Sequence, residues 1–229
     1  RRQPVAVLTP TMGTGTLDLP ARGSCVGYEV RSTLPFQTLR AGGGTPLYVE
    51  ERTDPAVNGR LIQTWNARPG NPFHGRLLQD GDKYAFWASD AGWFVIDPAL
   101  PSITVSASAN SLRREIRLFG VPTAICTLEG GDVTIHASAV EVLGHGVLLA
   151  GPSRYGKTTL AAAFAQAGHR LLTEDSTRCS TNGGPAILPG PAAIRLRSDV
   201  ASWLTFLFKG AAPTEEGRVP LLVDERYRG

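Results

Sequence analysis

The sequence predicts an α/β chain, α+β overall, in which a mostly antiparallel β half precedes a half built on a strand, a glycine-bearing loop and a helix. Three observations predict it. Between residues 24 and 107, short alternating apolar runs are separated by turn residues. After residue 109 the rhythm changes, and segments with helical spacing join the strand-like runs. GPSRYGKTTL (151–160) then stands between an apolar run and an alanine-rich one. The change of rhythm predicts two domains, 1–108 and 109–229.

In the first half the expected strands are CVGYEVRS, PLYVEER, GRLIQTW, KYAFWAS, GWFVID and SITVSAS. Between them lie AGGG (41–44), RPGNP (68–72), DGD (80–82), DAG (90–92) and DPALP (97–101), which supply Gly, Pro and Asp where tight turns need them. Asp80-Gly81 and Ala91-Gly92 are the expected hairpin turns. NSLRREIRLFG (110–120) spaces Leu112, Ile116 and Phe119 as one face of a short helix joining the halves. VTIHASAVEV and GVLLAG read as a β-hairpin turning at Leu143, Gly144 and His145. TTLAAAFAQA reads as a helix closed by Gly168. HRLLTED reads as a strand, SDVASWLTFLF as a helix with Ser198 or Asp199 as N-cap, and KGAAPTEEGRVP (209–220) as a mobile loop. No internal repeat is visible.

With 229 residues, 42% of them apolar, the chain can bury a sizeable core. Its formal net charge of +3 is too small and scattered to argue for nucleic acid or an anionic membrane. No run approaches the roughly 20 apolar residues of a membrane span. RRQPVAVLTP lacks the apolar segment of a secretory signal, so the expected compartment is the cytoplasm. Cys25, Cys126 and Cys179 are odd in number and far apart, which fits free thiols and no zinc site. The absence of an initiator Met and the end at DERYRG fit a natural chain that continues at both ends.

Gly151, Gly156, Lys157 and Thr158 satisfy G-x-x-x-x-G-K-[ST] in the strand-to-helix context which that motif requires. Lysine is scarce, with only Lys83, Lys157 and Lys209, so one inside a glycine loop stands out. The chemistry is direct: backbone N–H groups of Gly151, Pro152, Ser153, Arg154, Tyr155, Gly156, Lys157, Thr158 and Thr159, proline excepted, can cradle phosphates at the positive end of a helix. Lys157 would reach the β- and γ-phosphates, and the Thr158 hydroxyl would face Mg²⁺. The plain alternative is a Gly-Pro turn with a solvated lysine. Glu174 and Asp175 end a predicted strand, where one carboxylate could hold a metal and the other take a proton, or where both could simply begin a solvated loop. His136 lies between apolar neighbours, where a lone histidine is more often a packed core residue than a functional one; His145 and His74 read as structural or solvated.

The stretch IHASAVEVLGHGVLLAGPSRYGKTTLAAAFAQAGHRLLTED resembles the catalytic core of the HPr kinase/phosphorylase superfamily, of the HPr kinase/PEP carboxykinase-like P-loop type. That pattern is a His-bearing strand, a hairpin, a phosphate loop, a helix ending in Gly-His, and a strand ending in two acids. The match covers about residues 130 to 200. The resemblance implies ATP and Mg²⁺ as cofactors, with Thr158 and Asp175 on the metal. It implies Glu174 as the base that accepts a hydroxyl proton, with Lys157 and His136 beside the transferred phosphate. PGPAAIRLRSDV loosely matches a family segment whose Ile-Arg pair approaches the site, which adds Arg195 on the substrate side. Three departures stand out: Arg154 replaces a usual loop glycine, Glu174 replaces a usual Asp, and the Arg195 segment lacks the family's glycine-rich signature.

SCVGYEVRSTLPFQTL resembles the opening of HPr-kinase-like serine kinases encoded with peptide-modifying genes of the lasso-peptide type. This argues against HPr as the acceptor, since HPr kinases carry a different N-terminal domain. The expectation is therefore a kinase acting on a Ser or Thr hydroxyl of a peptide or small protein, with no nucleic-acid or membrane partner. The resemblance also implies a homo-oligomer. Two alternatives stay open: a kinase for a free small molecule such as an amino acid, and a nucleotide-binding regulatory module without transfer.

Overall fold

A computed structural model describes residues 18–67, 72–108, 110–181, 183–201, 204, 208–210 and 218–228. The fold is mixed α and β, with strands predominating and few helices. The first half forms one eight-stranded sheet: β1 (Ala21–Cys25), β2 (Tyr28–Ser32), β3 (Thr45–Arg52), β4 (Arg60–Trp65), β5 (Gly75–Asp80), β6 (Lys83–Ala88), β7 (Gly92–Asp97) and β8 (Ser102–Ser106). Its order is β1-β2-β3-β8-β7-β6-β5-β4, with β3 parallel to both β2 and β8 and every other neighbouring pair antiparallel. A parallel pair cannot be joined by a tight turn, so the β2–β3 connection crosses over as the loop 33–44.

Several local expectations shift. CVGYEVRS is two strands, because the chain reverses at Val26-Gly27 and pairs Cys25 with Tyr28. GRLLQD, between two turn signals, is the additional strand β5. The β5–β6 turn is Gly81-Asp82 and the β6–β7 turn is Ser89–Ala91, since Asp80 pairs with Lys83 and Ala88 with Gly92. Most of the RPGNP turn lies outside the described residues.

Helix α1 (Ser111–Leu118) starts where the Asn110 side chain accepts the Arg113 N–H, and α2 (Val121–Glu129) follows with a proline in its first turn. Together they cover the first core, which includes Tyr28, Val30, Leu47, Phe86, Phe94, Ile96, Ile103, Leu118, Phe119 and Cys126. Glu115 is buried and accepts N–H bonds from Gln37 and Thr38, which fixes the crossover loop on the helix.

Beyond α2, the expected strand VTIHASAVEV breaks into β9 (Val133–Ile135) and β10 (Ala137–Val142), and β11 (His145–Ala150) turns back along β10. After the glycine loop come α3 (Lys157–Gln166), β12 (Arg170–Thr173), β13 (Thr177–Ser180), β14 (Ala186–Leu188), β15 (Ala193–Arg197), α4 (Ser198–Ala201), β16 (Phe208–Gly210) and β17 (Arg218–Val223). These strands make three antiparallel sheets, β11-β10-β12, β14-β13-β9 and β15-β17-β16. Helix α4 begins at Ser198 itself; much of the rest of SDVASWLTFLF lies outside the described residues. KGAAPTEEGRVP is not a loop from end to end, because β16 and β17 take its two ends and pair with each other; 211–217 lie outside the described residues.

The alanines of α3 explain its place. Ala161, Ala162 and Ala165 form its buried face, and side chains this small let the helix lie close on β10. Its end is a Schellman motif: His169 N–H bonds Phe164 C=O, Gly168 N–H bonds Ala165 C=O, and Gly168 takes the left-handed φ of 94°. The Phe164 and His169 rings, 5.5 Å apart, supply the apolar contact that goes with it. Gly-His at this point is thus helix-ending chemistry.

The two halves meet at Arg40, on the crossover loop. Its guanidinium is buried and donates to the carbonyls of Gly190, Leu171 and Leu172, while burial pushes its pKa down to about 10. Arg178 adds a second tie, to Asp132 and to the Val26 carbonyl. Removing the Arg40 side chain takes a buried donor from all three carbonyls, of which that of Leu172 keeps a second partner, the Gly190 N–H, and a stranded buried carbonyl costs about 1–3 kcal/mol. Arg40→Met is expected to cost about 3 kcal/mol or more in urea unfolding, while the surface change Arg197→Met costs less than about 0.5 kcal/mol.

Candidate functional site

The site sits where two sheets part. Ala139 pairs with Thr173 in one ladder and Ile135 with Thr177 in the next. Between these rungs the two chains do not pair with each other, although Ala137 and Ser138 keep their pairing with β11, and the gap holds His136 on one chain and Glu174, Asp175 and Ser176 on the other. Thr177 Oγ1 donates to the Ala137 carbonyl and Ser138 Oγ to the Glu174 carbonyl, so the opening is fastened on both sides.

The glycine loop reaches the same place. Strands β11 and β12 are both antiparallel to the β10 that separates them, so they run in the same direction. The loop leaving β11 and the acids leaving β12 therefore emerge at one sheet edge. No two neighbouring strands pair in parallel among the described residues here, but parallel direction survives across the intervening strand.

Gly151 and Gly156 have φ of 154° and 82°, and Arg154 has φ of 73°. The left-handed region costs an ordinary residue about 1 kcal/mol, which is why glycine suits the position Arg154 holds. The Arg154 side chain is exposed, as are Pro152, Ser153 and Tyr155. A Cβ on Gly151 or Gly156 would meet nothing within 4 Å, so it is backbone conformation and not crowding that calls for glycine at these two positions. Helix α3 begins at Lys157, with Thr158 and Thr159 in its first turn. Lys157 curls back, its Nζ donating to the Gly151 and Pro152 carbonyls at 2.9 and 3.0 Å.

Arg195, from β15, joins the two acids. Its Nε donates to Glu174 Oε2 at 2.9 Å and its Nη2 to Asp175 Oδ2 at 2.7 Å. Thr158 Oγ1 donates to Glu174 Oε1 at 3.3 Å, so the loop's hydroxyl pairs with the first acid where the resemblance implied the second. Asp175 faces His136, whose Nδ1 lies 3.1 Å from its Oδ1 and from its backbone carbonyl. His136 is exposed, which removes the packed reading.

Burial separates the two acids. The Glu174 side chain is 8% exposed and that of Asp175 44%. Burial raises the Glu174 pKa; the Arg195 charge opposes this, the Asp175 charge adds to it, and the carboxyl stays above its ordinary range. Burial also acts upward on Asp175, but the Arg195 charge and the His136 bond outweigh it and hold Asp175 well below the ordinary range. The bond to Asp175 in turn raises His136.

Two polar partners escaped the sequence reading. Ser138 lies two residues after His136, on one face of a strand, a spacing that could have marked it. Arg218 lies 3.8 Å from Glu174 Oε1, and its place in an expected loop gave no signal. A cavity of about 430 Å³ also opens onto His136, Glu174, Asp175 and Arg195, with aromatic side chains of the first half on its wall.

Among the described residues, no group of three or more His, Cys, Asp or Glu side chains could hold a metal alone, and no helix is long and apolar enough to cross a membrane. All three cysteines are free thiols. A hydroxyl and a carboxylate beside the glycine loop would fit a Mg²⁺ whose remaining ligands were phosphate and water.

No family model matches the chain. Forty-two residues, 18% of the chain, are 50% identical to the HPr kinase/phosphorylase of Lactobacillus delbrueckii subsp. bulgaricus. Forty-nine residues, 21% of the chain, are 44% identical to that of Thermoanaerobacter pseudethanolicus, and 45 residues, 20% of the chain, are 46% identical to that of Caldanaerobacter subterraneus subsp. tengcongensis. The chain spans only 13%, 16% and 15% of these relatives' lengths. Over about a fifth of its length, then, the chain is similar to proteins named as kinases.

Proposed function

We propose that this chain is an ATP- and Mg²⁺-dependent kinase that transfers the γ-phosphate to a Ser or Thr hydroxyl of a peptide or small protein. The observation that carries the reading is the delivery of the glycine loop and the acid pair to one sheet edge, with Thr158 bonded to Glu174. The partial likeness to HPr kinases supports the reaction class. Residues 1–108 would form a domain that presents the acceptor, and 109–229 the phosphate-loop domain.

Each side chain has a task that its surroundings favour. Loop amides from Gly151 to Thr159 and the first turn of α3 hold the triphosphate, and Lys157 leaves its carbonyls to meet the phosphates. Asp175, kept ionised by Arg195 and His136, is with Thr158 the side chain available to Mg²⁺, which when bound offsets charge on the phosphates. Glu174, with its raised pKa, is suited to accept the hydroxyl proton. Arg195 orients both acids and His136 orients Asp175, and most of the rate gain comes from positioning and electrostatics.

Binding of a fluorescent ATP analogue and transfer of labelled phosphate, measured together, test these roles. Lys157→Ala is expected to lower transfer by about 10²-fold or more. Glu174→Gln should keep nucleotide affinity and lose about 10²- to 10⁴-fold in transfer, whereas Asp175→Asn should weaken Mg²⁺-dependent binding. Exchange of the last two phenotypes would assign the roles the other way.

The raised Glu174 pKa has two pH consequences. As a base it works only when ionised, so transfer should fall on acidification at a higher pH than an ordinary carboxylate would give. In stability the sign is opposite: the folded protein holds the Glu174 proton more tightly than the unfolded chain, so stability declines as pH rises from about 4.5 through the raised value. Glu174→Gln is thus expected to melt at a higher temperature than the parent at pH 7.5 in calorimetry, while losing transfer.

A further inference from the structure

The cavity on the acid pair has two unlike ends. One end is His136, Thr173, Glu174, Asp175, Ser176 and Arg195. The other is apolar and comes from the first sheet and the helices that cover it: Trp65, Phe73 and Phe86, with Ile116, Phe119 and Val121. None of residues 151–159 lines it, although Thr158 touches Glu174. The cavity thus reaches the acids without passing the loop, as an acceptor's approach must if the loop holds the donor.

The aromatic end is built. Phe86 and Phe119 are buried at its base, and Trp65 and Phe73 are half-buried above them. The Trp65 ring packs edge-on to Phe86, with centroids 5.6 Å apart. Trp65 and Phe73 both close over Gly75, where a Cβ would meet them at 3.1 and 3.0 Å. Arg117 lies across the Phe73 ring, 4.1 Å from its centroid, and is paired with Asp90, so its charge is balanced.

We propose that this cavity is an acceptor pocket that selects a peptide segment in which the phosphorylated Ser or Thr adjoins a large apolar or aromatic side chain. This rests on the kinase reading. A volume of about 430 Å³ lies at the small end of ligand pockets, so it takes a residue or two of an extended segment and not a folded surface. With the aromatic side chain on Trp65 and Phe73, the neighbouring hydroxyl faces the acids. There the O–H gives its proton to the Glu174 carboxylate. Its oxygen bonds to the terminal phosphorus of a nucleoside triphosphate as that phosphorus separates from the bridging oxygen, and the nucleoside diphosphate leaves with the electron pair.

The test uses the full chain, labelled ATP, and blocked peptides Gly-Ser-Gly, Trp-Ser-Gly, Gly-Ser-Trp and Asp-Ser-Gly, with free serine and free tryptophan as small-molecule arms. Peptide binding without nucleotide is measured in parallel by equilibrium dialysis. One or both tryptophan peptides should exceed Gly-Ser-Gly about tenfold in kcat/KM and in affinity. Phe73→Ala, which empties the wall, and Val121→Phe, which fills it, should each bring the peptides within about twofold of one another, with folding verified by calorimetry. Tight binding of a tryptophan peptide that Phe73→Ala abolishes, with no transfer, supports the pocket and overturns the kinase reading. Transfer to all peptides alike, unchanged in preference by both variants, overturns the pocket and leaves the kinase reading standing. Equal preference for free serine or free tryptophan over every peptide overturns the peptide assignment, and neither binding nor transfer overturns both.

Discussion

A single buried guanidinium ties the halves together at the strand that ends in the acids. Arg40 sits on the crossover loop that the parallel β2–β3 pair makes necessary, and it donates to carbonyls of β12 and of the Pro189-Gly190 segment lying on β12. That segment is itself stitched down: Val26 N–H bonds the Pro189 carbonyl, Gly190 N–H the Leu172 carbonyl and Ala192 N–H the Thr38 carbonyl. Immediately downstream, β15 brings Arg195 to Glu174 and Asp175. The position of the acids thus depends on a residue more than 130 positions away in sequence.

Within the site the charges are already paired. Arg195 holds both acids, His136 holds one of them, and Lys157 rests on its own loop. For the covered Arg195–Glu174 pair a low-dielectric setting makes the contact strong and an unpaired member costly, so these two side chains keep their geometry before any ligand arrives. The same setting splits two adjacent carboxyls into one that readily keeps a proton and one that readily gives it up. Sequence adjacency could not reveal this, because it depends on how deeply each is covered and which cation it meets.

Legibility followed locality. The glycine loop, α3, the Gly168 stop, the β10–β11 turn and most strands of the first sheet were readable because each is set by neighbouring residues: Gly at left-handed positions, Ala in a helix, alternation in a strand. Helix α2 and β5 carried usable signals, a proline in a first turn and an apolar run between two turns, and were passed over. The break at His136 was hidden, since the sequence alternates without interruption from Val133 to Ala139 and only pairing with two different sheets divides it. Among site residues, Lys157, Thr158, Glu174, Asp175, His136 and Arg195 were named from motif and resemblance, and the structure gathers the last four with Thr158 around one opening. The aromatic wall was illegible: Trp65, Phe73, Phe86 and Phe119 look like ordinary core residues until the crossover fastens one half against the other.

On the proposed reading of the loop as an anion site, the way Lys157 folds onto Gly151 and Pro152 has a consequence for how the anion would be taken up. The two carbonyls that meet that ammonium would be held in place by the very group that would later turn outward. Capture then becomes an exchange of oxygen partners around one nitrogen, in a vessel whose walls already stand. Little of the chain has to solidify as the guest arrives, and its departure leaves the vessel closed on itself rather than collapsed.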